Sequence, residues 1–325
     1  MKVLITGGTG TFGKALARAL LEDKSCCSDL SKVIIFSRGE NKQFQMKKEF
    51  AEYGNAISFF IGDVRDQMAL DLAMKGVEVV YHAAALKHVP IGEEFPQEAV
   101  ATNVNGIMNV MLVAEINKVS RVVNLSSDKA VYPINAYGMT KGLSEKVVAA
   151  HQGLTVGVSL RYGNVIASRG SVIPLFIEQY HTGKLLTVTN QNMTRFLLPI
   201  DQAIQLAIQC SMDKVSQGSV FVIKSPACTV KTLVEVITGE DYSENNVQEV
   251  GIRSGEKMHE TLLTTEEVGC SIRRSNGGID YYVVGQSPVE DLIHPEQNII
   301  EFTSENTERY GRHQTKYLLE QLGII

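Results

Sequence analysis

The sequence has little of what staples a small domain or holds a metal. Its five cysteines, Cys26, Cys27, Cys210, Cys228 and Cys270, include no C-x-x-C pair, and the odd count suits a reducing compartment. Adjacent Cys26 and Cys27 are poorly placed for a mutual disulfide. The seven histidines are scattered, with no H-E-x-x-H or other ligand spacing, which argues against a structural or catalytic metal. No stretch reaches the roughly 18 apolar residues of a membrane span. The opening MKVLITGGTGTFG is a short apolar run broken at once by glycines, a strand rather than a signal peptide. Positive charge is in deficit: a net charge of -5 argues against nucleic acid as the main partner while leaving room for local basic pockets. There are no internal repeats or low-complexity segments. A composition 44% hydrophobic and 21% charged is that of an ordinary globular protein. A soluble, cytoplasmic enzyme of one large domain or two moderate ones is therefore expected.

What is present begins with a buried strand, residues 2–6, then Gly7-Gly8-Thr9-Gly10-Thr11-Phe12-Gly13, then a helix from Lys14 to Glu22. That order suits a phosphate-binding turn. Glycines let the backbone approach a pyrophosphate, and the helix start supplies N–H groups and a positive dipole end. Gly7, Thr9, Gly10, Thr11, Phe12 and Gly13 are the expected dinucleotide contacts. The second strand, Val33 to Phe36, ends in Ser37-Arg38 with Lys42 close behind. An NAD-preferring fold usually carries an acid at this point. An arginine and a hydroxyl suit a 2′-phosphate instead, so NADP is expected over NAD; Glu40 is the nearby feature that opposes this. A third strand, 57–61, runs into Asp63, placed to accept from an adenine amino group. A fourth, 79–82, runs into Ala83, Ala84 and Ala85, small enough for a cofactor to lie against the backbone. Ala99 to Asn117 has helical periodicity interrupted by polar Asn103, which is either a cofactor contact or a satisfied buried amide.

The most polar stretch follows the fifth strand, Arg121 to Leu125. Asp128 and Lys129 sit where the apolar run ends, and Tyr137 and Lys141 come at i,i+4 spacing on one face of the next helix. With Ser127 these are five polar groups within 15 residues, more than packing needs. A sixth strand, Thr155 to Arg161, leads to Tyr162-Gly163-Asn164-Val165. Strands alternating with helices to about residue 165 predict an α/β fold with a Rossmann-like, doubly wound parallel sheet. Ligands bind outside the carboxyl ends of such strands, where every cluster named so far lies. Beyond it we expect a smaller α+β substrate lobe. Its helices run from 171–174 to about 182–183, over 200–211 and over 230–237, and its short strands over 186–189 and 220–223. Its polar clusters are Thr194-Arg195 and Arg253-Ser254-Gly255-Glu256-Lys257, and arginine suits bidentate phosphate recognition. Residues 276–310 read as an irregular arm and 313–325 as an amphipathic helix. The expected division is 1–168 for the cofactor (with return segments near 194–212), 169–285 for the substrate, and 286–325 for the arm and last helix.

The segments TGGTGTFG, HAAALKHVP, LSSDKAVYPINAYGMTK, RYGNVIASRGSVIPLF, NMTRFLL and GIRSGEKMHETLL together resemble the extended short-chain dehydrogenases/reductases. Within that superfamily they are similar to the soluble UDP-N-acetylglucosamine 4,6-dehydratases. The resemblance runs in order from residue 1 to about 270. The Asp-Lys pair after Ser-Ser separates this group from hexose dehydratases, which carry Asp-Glu there. Tyr137 stands where capsule-type members often have Met, and matches members that feed pseudaminic acid synthesis.

The resemblance implies roles. Gly7, Gly10 and Gly13 hold the NADP pyrophosphate, Arg38 and Lys42 the 2′-phosphate, Asp63 and Val64 the adenine. Tyr137 takes the C4-hydroxyl proton while hydride leaves C4; Lys141 holds the nicotinamide ribose and lowers the Tyr137 pKa by its charge; Ser127 orients the C4 oxygen. Lys129 removes H5 and Asp128 protonates the departing C6 hydroxyl. Asn164 and Lys87 lie near the sugar, Arg195 and Arg253 on the diphosphate, Glu256 on its ribose. The substrate implied is UDP-N-acetylglucosamine, with C5 reprotonated either on the opposite face, giving inversion, or on the same face, and the assembly a homo-oligomer, dimeric or hexameric. This chemistry demands a Lys129 neutral part of the time and a protonated Asp128, opposed shifts in neighbouring residues. The alternatives are a 4-epimerase or reductase using only Tyr137 and Lys141, a 5,6-dehydratase, or an NADP-binding sensor without activity.

Overall fold

The structure, a computed structural model, describes residues 1–23, 29–168, 170–285 and 301–325. Cys26, Cys27 and the 286–300 part of the expected arm lie outside these residues. In chain order the strands are β1 (Lys2–Thr6), β2 (Lys32–Ser37), β3 (Ile57–Ile61), β4 (Val79–His82), β5 (Arg121–Leu125), β6 (Val156–Arg161), β7 (Leu186–Val188), β8 (Thr194–Phe196), β9 (Val220–Ile223), β10 (Ala227–Thr229), β11 (Val247–Glu249), β12 (Thr261–Leu263), β13 (Ser271–Asn276), β14 (Ile279–Val284) and β15 (Phe302–Thr303). The helices are α1 (Thr11–Glu22), α2 (Glu40–Glu49), α3 (Gln67–Ala73), α4 (Val89–Glu94), α5 (Pro96–Val100), α6 (Gly106–Ile116), α7 (Ala136–Ala149), α8 (Val172–His181), α9 (Ile200–Met212), α10 (Val230–Thr238), α11 (Thr265–Gly269) and α12 (Arg312–Gln321).

Nine strands form one sheet in the order β13-β14-β9-β6-β5-β4-β1-β2-β3. From β3 to β9 the pairings are parallel. Parallel strands covered on both faces read as unbroken apolar runs, and Val3, Leu4 and Ile5 are fully buried. Leu16 and Leu20 of α1 with Ile204 and Ala207 of α9 cover one face. Leu70 of α3 with Ile107, Val110 and Met111 of α6 cover the other. The strand order reverses between β1 and β4, which opens a crevice at their carboxyl ends. Behind it, α8, α10 and α12 build a second core around Phe176, Leu233, Val234 and Leu319.

Three expectations change. Residues 220–223, expected in the smaller lobe, form β9 and extend the main sheet in parallel beside β6. Residues 276–284, read as the start of an irregular arm, instead complete an antiparallel hairpin, β13–β14, that joins the main sheet through β9. Gly277 and Gly278 both take positive φ, as a tight hairpin turn requires. The tyrosines alternate across the strand: Tyr281 packs on Phe221 and Tyr282 on Phe302. The expected helix over 99–117 is divided: Ala101–Asn105 forms one wider π turn between α5 and α6, burying Thr102, Asn103 and Val104. Such turns are common at functional sites. Among the described residues, Pro96–Ile116 is the one helical run long and apolar enough to cross a membrane, and 56% of its apolar window is buried within the protein. It is a core helix of the fold.

Candidate active site

A single cleft of about 860 Å³ runs from the glycine loop to the 253–256 loop. At its first end Gly7 takes φ +65, and a Cβ there would stand 2.7 Å from the Ala84 nitrogen. Only glycine lets this loop lie against Ala83–Ala85. α1 begins directly after Gly10 with no side-chain cap, so its first N–H groups are open to an anion. Thr9, Thr11, Phe12, Gly13, Ser37, Arg38, Lys42, Asp63, Val64 and the three alanines also line the cleft. Arg38 lies 3.6 Å from the Asp63 carboxylate, which Arg65 grips through two nitrogens at 2.7 and 3.0 Å. Burial works to raise the Asp63 carboxyl, but Arg65, with Arg38, outweighs it and holds it below its usual range. The Ser37 hydroxyl accepts from Thr9 Oγ1 at 3.3 Å and from buried Gln43 Nε2 at 3.0 Å. A glycine cradle, a bare helix start and two cations beyond β2 fit a phosphorylated dinucleotide.

The centre of the cleft is set by how β5 meets α7. After Leu125 the chain makes one tight turn, Asp128–Ala130, with the Ser127 hydroxyl accepting from the Lys129 N–H at 3.3 Å. Asn135 caps α7, its side chain accepting from the Gly138 N–H at 2.7 Å and donating to the Gly255 carbonyl at 2.8 Å. A Cβ on Gly138 would fall 2.2 Å from the Lys129 carbonyl. Glycine therefore lets the first turn of α7 press on the 128–130 turn, and this brings Tyr137 and Lys141 to Asp128 and Lys129.

The Ser127 hydroxyl donates to Asp128 Oδ1 at 2.8 Å, and Lys129 Nζ donates to the same oxygen at 3.0 Å. On its other side Lys129 Nζ stands 3.2 Å from Glu260 Oε1. Both carboxylates are almost fully buried, and their second oxygens, Asp128 Oδ2 and Glu260 Oε2, have no protein partner. Glu260 enters from the residue before β12. Ser304 clamps it there, its Oγ accepting from the Glu260 N–H at 2.9 Å and its N–H donating to the Glu260 carbonyl at 2.8 Å. Lys141 Nζ donates to the Leu125 carbonyl.

Burial raises the Asp128 carboxyl; Lys129 opposes this and Glu260 adds to it. That is the direction an acid needs. Lys129 moves the other way from expectation. Burial would lower it, but Asp128 and Glu260 outweigh burial and raise it, with Arg195 opposing. The depressed lysine is thus corrected to a well-held ammonium, because the sequence reading did not include Glu260. Tyr137 is raised by burial, opposed by Lys129 and by the Ser127 hydroxyl. Lys129 is a cation that favours its phenolate, while burial lowers the pKa of Lys141 to about 8.

Lys87, Asn164, Arg195, Arg253 and Glu256 all line the cleft. Asn164 Oδ1 is buried without a protein partner. Arg253 and Glu256 pair at 3.9 Å. Arg195 donates to the Thr194 carbonyl at 2.8 Å, and its charge acts on both Lys129 and Glu260. Asn103 is set apart. Leu86 N–H donates to its Oδ1 at 2.8 Å, and its Nδ2 donates to the Leu86 carbonyl at 3.0 Å and to Thr140 Oγ1 at 2.9 Å. Its amide hydrogens are spent tying the 86 loop to α7, which is the satisfied-amide alternative. Sequence reading missed Glu260, Gln43 and the stacking of Tyr162 on Phe12. The available signal for Glu260 was a lone acid directly before an apolar strand. Among the described residues no group of three or more His, Cys, Asp or Glu side chains could hold a metal ion.

A dinucleotide cradle, a reversal of strand order and a Tyr-x-x-x-Lys helix over an Asp-Lys pair are the parts of an extended short-chain dehydrogenase/reductase. Over residues 3–276 the chain matches the family described as polysaccharide biosynthesis protein, and it belongs to that family. It is 42% identical over 339 aligned residues to a UDP-glucose 4-epimerase of Rickettsia bellii, covering 99% of this chain and 96% of that one. With the UDP-glucose 4-epimerase of Rickettsia akari the identity is 43%, at the same coverage. Among solved structures it is similar to Pen from Bacillus thuringiensis, with a TM-score of 0.88 and 33% identity over 98% of both chains. DesIV, a dTDP-glucose 4,6-dehydratase from Streptomyces venezuelae with NAD bound, shares the fold at a TM-score of 0.71 and 21% identity, over 79% of this chain and 87% of that one.

Proposed function

We propose that the protein is an NADP-dependent 4,6-dehydratase of UDP-N-acetylglucosamine, yielding a 4-keto-6-deoxy sugar nucleotide with inversion at C5. The observation that carries this reading is the part-buried Lys129 held between the buried Asp128 and Glu260 carboxylates beside Tyr137. Oxidation at C4 alone needs a tyrosine and a lysine. It does not need a second buried acid and base.

Gly7, Gly10 and Gly13 would hold the pyrophosphate, Arg38 and Lys42 the 2′-phosphate, and Lys141 the nicotinamide ribose. Bound there, NADP would accept a hydride from C4 and, once water has left, return it at C6 while C5 takes up a proton on the face opposite to the one that lost H5. Tyr137 takes the proton of the C4 hydroxyl, whose oxygen Ser127 orients. The resulting ketone acidifies H5. Lys129, once neutral, takes that proton, and the C5–H electron pair moves into the C5–C6 bond as the C6–O bond breaks. Asp128 gives its proton to the departing oxygen, which leaves as water. Arg195, Arg253, Glu256, Asn164 and Lys87 serve the sugar nucleotide. A cytoplasmic homo-oligomer is the form we assign to the enzyme.

A second reading is a nucleotide-sugar 4-epimerase, favoured by the names of the Rickettsia relatives. Incubating the purified protein with UDP-N-acetylglucosamine and following the product by mass spectrometry separates the two. Dehydration removes one water, and a deuterium placed at C4 appears at C6. An unchanged mass with an inverted C4 refutes dehydration. NMR of the product at C5 then reads the stereochemistry.

A further inference from the structure

A lysine base between two carboxylates poses a problem for elimination, because it rests as an ammonium. The geometry contains the means to resolve this. Lys129 Nζ is 3.0 Å from Asp128 Oδ1 and 3.2 Å from Glu260 Oε1. One proton passed from Nζ to Asp128 Oδ1 turns the ion pair into an amine and a carboxylic acid, with no change in total charge. These are the two protonation states that elimination requires.

The two carboxylates are not equivalent. Glu260 faces cations on three elements: Lys129, Arg195 of β8, and Lys257 in the preceding loop, which outweigh its burial and keep it ionised. Asp128 faces Lys129 but also the Glu260 charge. A shared proton therefore goes to Asp128 and not to Glu260. The groups facing Lys129 are Asp128, Glu260 and Arg195, with Tyr137 and Lys257 in the same charged cluster.

We infer that Glu260 is the positioning residue of the elimination step: remaining a carboxylate, it anchors Lys129 Nζ opposite Asp128, directs the shared proton to Asp128, and stabilises the ammonium that re-forms as Lys129 takes H5. The balance closes. The proton leaving Nζ reaches the C6 oxygen by way of Asp128, the H5 proton replaces it on Nζ, and Glu260 gains and loses none. This role rests on the dehydratase reading, whereas the ion pair beneath it does not.

The test uses the full-length holoenzyme and two variants, Glu260→Gln and Glu260→Asp. The first readout needs no turnover: NMR titration of lysine side chains labelled at Cε, with the Lys129 signal assigned by its loss in Lys129→Ala. In Glu260→Gln, Lys129 loses a neighbouring negative charge and should deprotonate at lower pH than in the unsubstituted protein; Glu260→Asp, with the charge kept but withdrawn by one methylene, should fall between. An unchanged titration overturns the inference. The second readout is a single turnover with UDP-N-acetylglucosamine. Glu260→Gln should still reduce bound NADP but retain the reduced cofactor's absorbance, with product formation slowed on the order of a hundredfold, as for a misplaced catalytic group. Equal slowing of both steps, or no slowing, overturns the positioning role. Absence of water loss in the unsubstituted protein refutes the dehydratase reading and with it this role, while the titration separately decides the ion pair.

Discussion

Replacing Lys129 with methionine removes the cation shared by two buried carboxylates while keeping most of the side-chain volume. Asp128 is 1% exposed and the Glu260 side chain 4%, so neither reaches water to compensate. Breaking a buried pair from one side costs about 3–5 kcal/mol. The same magnitude follows from proton uptake. Without the ammonium, burial drives at least one more carboxyl neutral in the folded state than in the unfolded chain. Holding a carboxyl of ordinary pKa near 4 neutral at pH 7 costs about 4 kcal/mol, at about 1.36 kcal/mol per pH unit. The sign follows from proton counts. The folded variant binds more protons than its unfolded chain above pH 4, so its stability falls as pH rises. In the unsubstituted protein Glu260 is held below its usual value. Its contribution is present above the unfolded pKa and is lost as pH falls through the folded one. The stability gap between Lys129→Met and the unsubstituted protein should therefore narrow by about 1.4 kcal/mol per pH unit between pH 7 and 5. Thermal melts of the two proteins across that range measure it, with roughly 2 °C expected per kcal/mol for a chain of this length. A gap that stays constant with pH refutes the three-residue ion cluster. The same variant should bind NADP normally and form no dehydrated product.

Arg38→Asp should weaken NADP against NAD by roughly tenfold or more, the worth of a charge-assisted contact; an unchanged ratio of dissociation constants removes the 2′-phosphate assignment. Gly138→Ala places a Cβ 2.2 Å from the Lys129 carbonyl, so α7 must move away from the 128–130 turn. We expect a loss of about 1–3 kcal/mol in denaturant unfolding together with loss of turnover, whereas a stable, active variant contradicts the packing described. Asn103→Ala leaves the Leu86 N–H and carbonyl without their partner and should cost about 1–3 kcal/mol in the same assay, while an effect on cofactor affinity alone would return Asn103 to the cofactor site.

What the sequence revealed and what it hid divide by distance along the chain. β1, the glycine loop and α1 are legible because a buried strand, a φ-permissive turn and a helix start leave their marks on adjacent residues. Asp128, Lys129, Tyr137 and Lys141 are legible because one turn and one helix separate them. Glu260 is not, because it comes from a distant part of the chain, the residue before β12, and nothing in its neighbours specifies its approach to Lys129. The same holds for Gln43, whose Nε2 lies 2.8 to 3.0 Å from the Ser37 carbonyl and hydroxyl and the Phe60 carbonyl and so bridges β2 and β3. The β13–β14 hairpin was hidden for another reason. Its exposed-face arginines and serines dilute the apolar pattern, and only the pairing with β9 buries Tyr281 to Val283. The π turn at 101–105 leaves a helical composition intact and so has no sequence signature of its own.

The bond from Asn135 to Gly255 joins two functions in one residue. The side chain that starts α7 also holds the loop bearing Arg253 and Glu256. Under the proposed function, a grip of that loop on the nucleotide end of the substrate would be transmitted to the first turn of α7 and hence to Tyr137. A sugar phosphate lacking its nucleoside would then lose turnover rate as well as affinity. Its distant end would no longer help to set the phenol in place, and occupancy at saturating concentration would not restore the loss.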